Sequence, residues 1–336
     1  MRFRLAGPEG APKYRRIVEG VVQAIRTKEV RRGDPLPSVS ELCSSCGLAR
    51  ETVIKAYGIL KQKGIVRAIP RKGYLVETED VSHETKVLLL FDEFSAYKQD
   101  TYDAFRAALP VDVVVDIFFH HCDVRVMESM LLDKHAYYDL CLVMPFEHRA
   151  IPGILRQVPK DKLLMVDRRE GAEKYRFVGQ DHDGSLFDAL MSGRDLFQKY
   201  TKINLVFRKP GAPALRSSQA PTVIPGSFRR FCKRNRFKHL VLSKVDSIRK
   251  GQAYFVIDDS DLVDAIELAR EKRLKLGKDI GILAYNETAL RNVIADGITV
   301  VSTDFKEMGR LAAKHVVDPS RSSDIVPTKM IRRASL

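Results

Sequence analysis

Nine short apolar runs after residue 86 constrain this chain more than any other feature. They are VLLLF (87–91), VDVVVDIFF (111–119), DLCLVM (139–144), KLLMVD (162–167), INLVF (203–207), HLVLS (239–243), AYFVID (253–258), DIGILAY (279–285) and ITVVST (298–303). Near-continuous Val, Leu and Ile, rather than strict alternation, predicts strands covered on both faces. Amphipathic helical stretches fill the intervals, which makes right-handed βαβ units and parallel sheets the expected architecture. Nine strands are too many for one small half. The economical α/β arrangement is two doubly wound lobes sharing a cleft, with ligand at the carboxyl ends of the strands.

The stretch Gly33–Val76 follows different rules. In Pro37-Ser38-Val39-Ser40-Glu41-Leu42, Ser38 is placed as a helix N-cap with Glu41 completing a capping box. Gly47 stands where that helix should stop. In LARETVIKAYGILKQK (48–63), Val53, Tyr57 and Leu60 form an apolar seam, leaving Arg50, Glu51, Thr52, Lys55 and Lys61 around the remaining surface. VRAIPRKGYLV then reads as a two-stranded ribbon with a basic tip at Arg71, Lys72 and Gly73. A helix at about 14–28, with Ile17, Val21, Ala24 and Ile25 as its buried stripe, precedes this module. A seam-braced helix opening with polar and basic groups suits a major groove, and a basic ribbon suits phosphates.

Charge supports that reading. The chain of 336 residues carries a formal net charge of +14. Residues 1–76 hold sixteen Lys or Arg against six Asp or Glu, so roughly +10 lies in the first quarter. Solubility alone does not require such concentration on one module. The polar, acidic stretch ETEDVSHETK (77–86) has no hydrophobic periodicity and reads as a linker. The expected domains are therefore 1–76 for DNA binding, 77–86 as linker and 87–336 for sensing and dimerisation. No apolar run approaches the ~20 residues of a membrane span, and the start lacks the apolar core of a secretory signal. Five scattered cysteines suit a reducing compartment. A cytoplasmic protein without a membrane partner is expected. Cys43 and Cys46 form C-x-x-C without a second pair, and adjacent His120 and His121 end a strand on opposite faces; no metal site and no cofactor are assigned to either.

The first 76 residues resemble the GntR family of winged helix–turn–helix regulators. The resemblance rests on Gly33-Asp34-Pro35-Leu36-Pro37-Ser38, Glu41-Leu42, Arg50-Glu51-Thr52-Val53 and Arg71-Lys72-Gly73-Tyr74-Leu75-Val76. The family usually has a basic residue where Ser40 stands and often another at Ile54. The remainder is similar to the two-lobed, periplasmic-binding-protein-like effector domain of LacI-type repressors. Val166-Asp167-Arg168, Val178–Gly184, Val256-Ile257-Asp258-Asp259, Ile282–Glu287, Ile298–Val301 followed by Met308-Gly309, and Arg332–Ser335 carry that resemblance in order. The combination resembles the arabinose-repressor group and implies a ligand-responsive transcription regulator. One departure is Thr222-Val223-Ile224-Pro225, where the family often has a ligand-gripping Arg; here Arg216 lies further back.

The expected DNA-contacting residues are Ser38, Arg50, Glu51, Thr52, Lys55, Arg71, Lys72, Gly73 and Tyr74. Arg50 is suited to a guanine edge and Thr52 to a phosphate or a thymine methyl; a solvated helix face is the alternative. The expected ligand-contacting residues are Phe94, Ser95, Pro145, Phe146, Asp167, Arg168, Asp258 and Asn286. Carboxylates and amides at strand ends accept hydroxyl protons, and an aromatic face packs on the C–H surface of a sugar. The same residue types also cap helices, Asp259 in particular. The function expected is that of a regulator, in the repressor sense, of a double-stranded DNA operator. It would act as a homodimer and be controlled by a small polar, sugar-like effector. A regulator with a degenerate cleft, working through dimerisation alone, is the alternative. A fused enzyme domain finds no supporting motif: there is no pyridoxal-Lys motif, G-x-S-x-G, Walker loop or H-E-x-x-H.

Overall fold

Ser38 and Glu41 close on each other as the sequence requires. The Ser38 hydroxyl accepts from the Glu41 amide at 3.2 Å and the Glu41 carboxylate accepts from the Ser38 amide at 2.7 Å, fixing the start of one helix of the N-terminal unit. The computed structural model describes residues 5–6, 13–70, 73–81, 85–111, 113–168, 172–208 and 222–336. It forms two compact units, Met1–Glu84 and Thr85–Leu336.

The first unit comprises α1 (Lys13–Arg26), α2 (Val39–Cys46), α3 (Arg50–Gln62), β1 (Val66–Ile69) and β2 (Gly73–Val76). Gly47 ends α2 in the left-handed region at φ 61°, a conformation glycine takes without a Cβ penalty. Val53, Ala56, Tyr57 and Leu60 of α3 are fully buried against α1 residues Ile17 and Val21. Tyr57 ties the unit together. Its hydroxyl donates to the Pro37 carbonyl at 2.6 Å, and its ring lies 4.7 Å from that of Tyr74 on the ribbon. The antiparallel pair β1–β2 gains a partner at Pro35, bridged to Leu75. The stretch expected as linker is structured at both ends. Glu77 bonds through its amide to Ile65 and through its carboxylate to Arg67, and Val81 is buried in the core of the first unit. Thr85 and Lys86 open the first strand of the second unit. Absent hydrophobic periodicity, the sequence does not reveal that one isolated valine anchors this segment.

In the second unit all nine apolar runs form strands. The chain runs β3 (Thr85–Phe91), α4 (Ala96–Ala108), β4 (Val113–Phe119), α5 (Val124–Lys134), β5 (Leu140–Val143), α6 (Ile151–Leu155), β6 (Leu163–Asp167) and β7 (Arg176–Gly179). It then crosses to a second lobe with α7 (Gly184–Ser192), α8 (Arg194–Phe197), β8 (Lys202–Val206), α9 (Ile224–Asn235), β9 (His239–Leu242), β10 (Gln252–Val256), α10 (Asp259–Glu271), β11 (Gly281–Tyr285), α11 (Ala289–Val293) and β12 (Thr299–Thr303). A second crossing returns it to the first lobe through α12 (Phe305–Val317) and β13 (Asp324–Ile325). A third crossing ends in β14 (Thr328–Ile331) of the second lobe. The sheet orders are β13-β7-β6-β5-β3-β4 and β14-β12-β11-β10-β8-β9; β14 is antiparallel and every other pairing is parallel.

The run of apolar residues in β3 is explained by its two faces. Val87, Leu89 and Phe91 enter one core cluster, and Leu88 and Leu90 enter another on the opposite side of the sheet. In β10, Ala253 and Phe255 separate from Tyr254 and Val256 in the same way. Three strands escape the sequence pattern. β7 (RFVG), β13 and β14 are short and carry polar residues.

One buried ion pair fixes α4 to the end of β3. Lys98 and Asp92 are both 1% exposed and in direct contact, and Lys98 also lies 3.6 Å from Glu93. Burial alone would raise the Asp92 carboxyl, but the Lys98 and Arg168 charges outweigh it and hold the group below its ordinary value. Replacing Lys98 by Met strands a buried carboxylate and should cost about 3 kcal/mol in urea unfolding. Adding Asp92→Asn should recover most of that loss; a double variant as unstable as Lys98→Met would contradict the pairing.

Candidate functional site

On the N-terminal unit, Arg50 and Glu51 are exposed at the start of α3, and Thr52 is half-buried. Lys55 does not extend freely from the helix: its ammonium lies 4.3 Å from the centre of the Tyr14 ring of α1, a cation–π contact that holds it across the helix surface. The Ser38 oxygen accepts in the capping box, which leaves its proton for an outside acceptor. Tyr74 is half-buried, with one side of its ring against Tyr57. Gly73 sits at φ 87°, where the ribbon re-enters β2 and a side chain would be strained. Arg71 and Lys72 lie outside the described residues, as does Arg216. Ile54, where a basic residue is common in the resembling family, is 45% exposed on α3.

In the second unit, strand ends from both lobes converge on a polar cleft of about 160 Å³. From the first lobe come Glu93, Ser95 and Tyr97 after β3, Asp167 and Arg168 at the end of β6, and Gln180 and His182 after β7. From the second come Ile257, Asp258 and Asp259 after β10, and Tyr285, Asn286, Thr288 and Arg291 after β11. Asp167 and Asn286 occupy matching places, one per lobe, and both turn into the left-handed region at φ 66° and 67°. Asp and Asn tolerate this turn better than other non-glycine residues. Opposite Asp167, a Cβ at Gly179 would come within 2.6 Å of the Asp167 carbonyl oxygen, so glycine is what lets the two strand ends approach.

Of the expected ligand residues, Ser95, Asp167, Arg168, Asp258 and Asn286 line this cleft. Phe94, Pro145 and Phe146 do not. Phe94 is 70% exposed and lies edge-on to Phe119, 6.3 Å between ring centres. Pro145 is buried, and Phe146 packs in the first lobe's core with its ring 5.1 Å from that of His120. Position after a strand does not determine which way the next two side chains turn, and these three turn aside. Asp259 follows the N-cap residue Asp258 and pairs with Arg291 at 2.5 Å.

Gln180, His182, Tyr285 and Arg291 escape sequence reading as cleft residues. Gln180 and His182 follow the unread strand β7. Arg291 reaches back from the five-residue helix α11, donates to the Tyr285 and Asn286 carbonyls, and is 4% exposed. It brings a guanidinium to the cleft from a part of the sequence remote from the Thr222–Pro225 position. Thr222 itself contacts the first lobe, its hydroxyl donating to Glu147 at 2.8 Å.

Beneath the cleft runs a continuous hydrogen-bonded set. The Gln180 amide nitrogen donates to Asp167 at 2.6 Å; its oxygen accepts from Thr303 at 2.7 Å and from Tyr285 at 3.5 Å. Thr303 and Thr328 share a 2.8 Å bond, and His182 Nδ1 is 3.4 Å from the Tyr285 hydroxyl. Among the described residues, Ser95 Oγ, His182 Nε2, Asn286 Oδ1 and Arg291 Nε of the cleft are buried without a hydrogen-bond partner. Such atoms cost free energy unless something occupies them. Among the described residues no group of three or more His, Cys, Asp or Glu side chains is arranged to hold a metal ion. His120 instead bonds the Met144 carbonyl and the Cys122 amide.

These two sites correspond to known domain families. Residues 13–76 match the model of bacterial regulatory proteins of the gntR family, and residues 217–336 match the periplasmic binding protein-like domain. The chain thus carries a gntR-type helix–turn–helix domain followed by a periplasmic-binding-protein-like domain. Among individual proteins, it is 34% identical over 82 residues to the mannosyl-D-glycerate transport/metabolism system repressor MngR of Escherichia coli (strain K12), covering 24% of this chain. The match spans about a third (34%) of that relative's length. The second unit's fold is similar to the trehalose repressor from Escherichia coli, with TM-score 0.61 and 14% identity over 74% of this chain and 100% of that one. It is also similar to a LacI family transcriptional regulator from Lactobacillus casei with bound glucose, with TM-score 0.60 and 13% identity over 75% and 98% of the two chains.

Burial lowers His182 from the ordinary histidine value of 6.5 to about 4, the nearby Asp167 offsetting only part of the effect. A folded value below the unfolded one means the neutral ring stabilises the fold above pH 6.5, and that contribution is lost as pH falls towards 4. Wild-type stability should therefore drop by roughly 2 kcal/mol from this group between pH 7 and 5. Chemical unfolding of His182→Gln over the same range should lack that share. An unchanged pH dependence would contradict the assignment.

Proposed function

We propose that this protein is a one-component transcriptional regulator, acting as a repressor. A winged helix–turn–helix reads a double-stranded DNA operator, and a small polar, sugar-like effector in the two-lobed cleft controls that binding. The observation that carries the reading is the clustering of Ser95 Oγ, His182 Nε2 and Asn286 Oδ1, buried and unpartnered, in one cleft at the carboxyl ends of parallel strands. The relatives support the class of effector: one is named for a mannosyl-D-glycerate system, one for trehalose, and one was solved with glucose. Arg291 also weighs against a degenerate cleft, since it brings a buried positive charge to the lining, with its Nε unpartnered. The reading makes the protein a cytoplasmic, non-catalytic regulator. No helix among the described residues is long and apolar enough to cross a membrane.

The regulator acts as a homodimer in this account. An apolar groove of about 460 Å³ runs between α10 and α11, lined by Leu262, Val263, Ile266, Leu290 and Ile294. Val263, Leu290 and neighbouring Val293 are 51%, 68% and 70% exposed. Such a patch is suited to a second copy. Ligand closure of the lobes would then alter the spacing of two readers over two half-sites.

Arg50→Ala should weaken binding to a selected operator about tenfold to a hundredfold while leaving sugar-induced thermal stabilisation unchanged. Unaltered operator affinity would remove Arg50 from the reading face. Asp167→Ala should retain operator binding and lose stabilisation by any sugar that stabilises wild type; a normal calorimetric titration would contradict the cleft assignment. Leu290→Asp should shift sedimentation towards monomer, and an unchanged dimer would move the interface elsewhere.

A further inference from the structure

His182 is 8% exposed, lines the cleft, and has a ring nitrogen, Nε2, with no hydrogen-bond partner among the described residues. The state of that nitrogen follows from its neighbours. The Asp167 carboxylate 2.6 Å from Gln180 accepts only, so the Gln180 amide must present its NH₂ there and its oxygen to Thr303 and Tyr285. Tyr285 has one proton. When that proton goes to Gln180, the phenol oxygen is the acceptor for His182 Nδ1 at 3.4 Å and Nδ1 carries the ring proton. In a neutral imidazole the other nitrogen then offers only a lone pair, and burial keeps the ring neutral.

We propose that His182 is a specificity-determining residue of the cleft: its Nε2, fixed as an acceptor through Tyr285, takes a hydrogen bond from one hydroxyl of the sugar. A ligand carboxylate or phosphate at that point would set one lone pair against another, and a deoxy position would leave Nε2 buried and unmet. The residue therefore selects for a hydroxyl at one ring position and against an anionic group there. This proposal rests on the sensor reading above.

The test uses the full chain with D-glucose, D-mannose, D-galactose and trehalose, followed by each monodeoxy form of whichever sugar binds, measured by calorimetry. One monodeoxy form should bind wild type about tenfold more weakly than its parent. His182→Phe, which keeps a planar ring without the acceptor, should bind parent and that deoxy form equally. Tyr285→Phe, which releases the tautomer, should reduce the same ratio and leave the other deoxy forms unaffected. A parent-to-deoxy ratio unchanged in both variants overturns the proposal. Failure of all four sugars to bind wild type would instead defeat the sensor reading, and this inference with it. If His182→Phe does not fold, ¹⁵N NMR of the wild-type ring decides: a protonated Nδ1 and bare Nε2 are expected, and a protonated Nε2 overturns the proposal.

Discussion

The Gln180 side chain is the contact on which the rest of the second unit depends. The chain crosses between lobes three times, and Gln180, Thr303 and Thr328 stand one at each crossing. Their side chains meet in a single buried set, with Gln180 also holding Asp167 at the cleft. A buried polar group left unmatched costs more than a made bond contributes, so these partners are strongly specified. A movement of Asp167 therefore cannot leave the crossings unaffected. The cleft and the hinge share atoms, which gives a ligand a physical route to the relative placement of the lobes.

Two kinds of charge support that arrangement. The Asp92–Lys98 pair lies fully buried under the β3 end of the cleft and serves to orient α4, whose first turn supplies Ala96 and Tyr97 to the lining. Arg291 and Asp259 do the same for the second lobe, tying α11 to α10 at the cleft's edge. Each lobe thus carries its own charged brace beside the site, and each brace is local to one lobe. Closure could proceed without breaking either.

Much of this was legible in the sequence because its signals are local. The capping box of Ser38 and Glu41, the Gly47 stop and the buried seam of Val53, Tyr57 and Leu60 each need only a few neighbouring residues to be read. The nine core strands were legible because both faces are buried, which leaves near-continuous apolar runs. What was not legible depends on long-range partners. β7, β13 and β14 are strands because neighbours exist in space for them, and β7 carries Gln180 and His182 to the cleft. Arg291 lies more than sixty residues beyond the position where an arginine was sought. Phe94, Pro145 and Phe146 stand at the right strand ends, yet their side chains turn to an exposed ring pair or into the core. Lys55 belongs to the exposed surface of α3 by pattern, but Tyr14 draws it across the helix.

In the proposed regulator, cleft occupancy acts on operator affinity by way of Gln180 and the lobe crossings. The most direct measurement compares operator affinity by fluorescence anisotropy, with and without a saturating sugar that binds the cleft, in wild type and in Gln180→Met. The sugar should change wild-type operator affinity severalfold and leave the variant's unchanged, read at sugar concentrations at which calorimetry shows the variant's cleft to be filled. A variant whose operator affinity responds to the sugar as fully as wild type would contradict it.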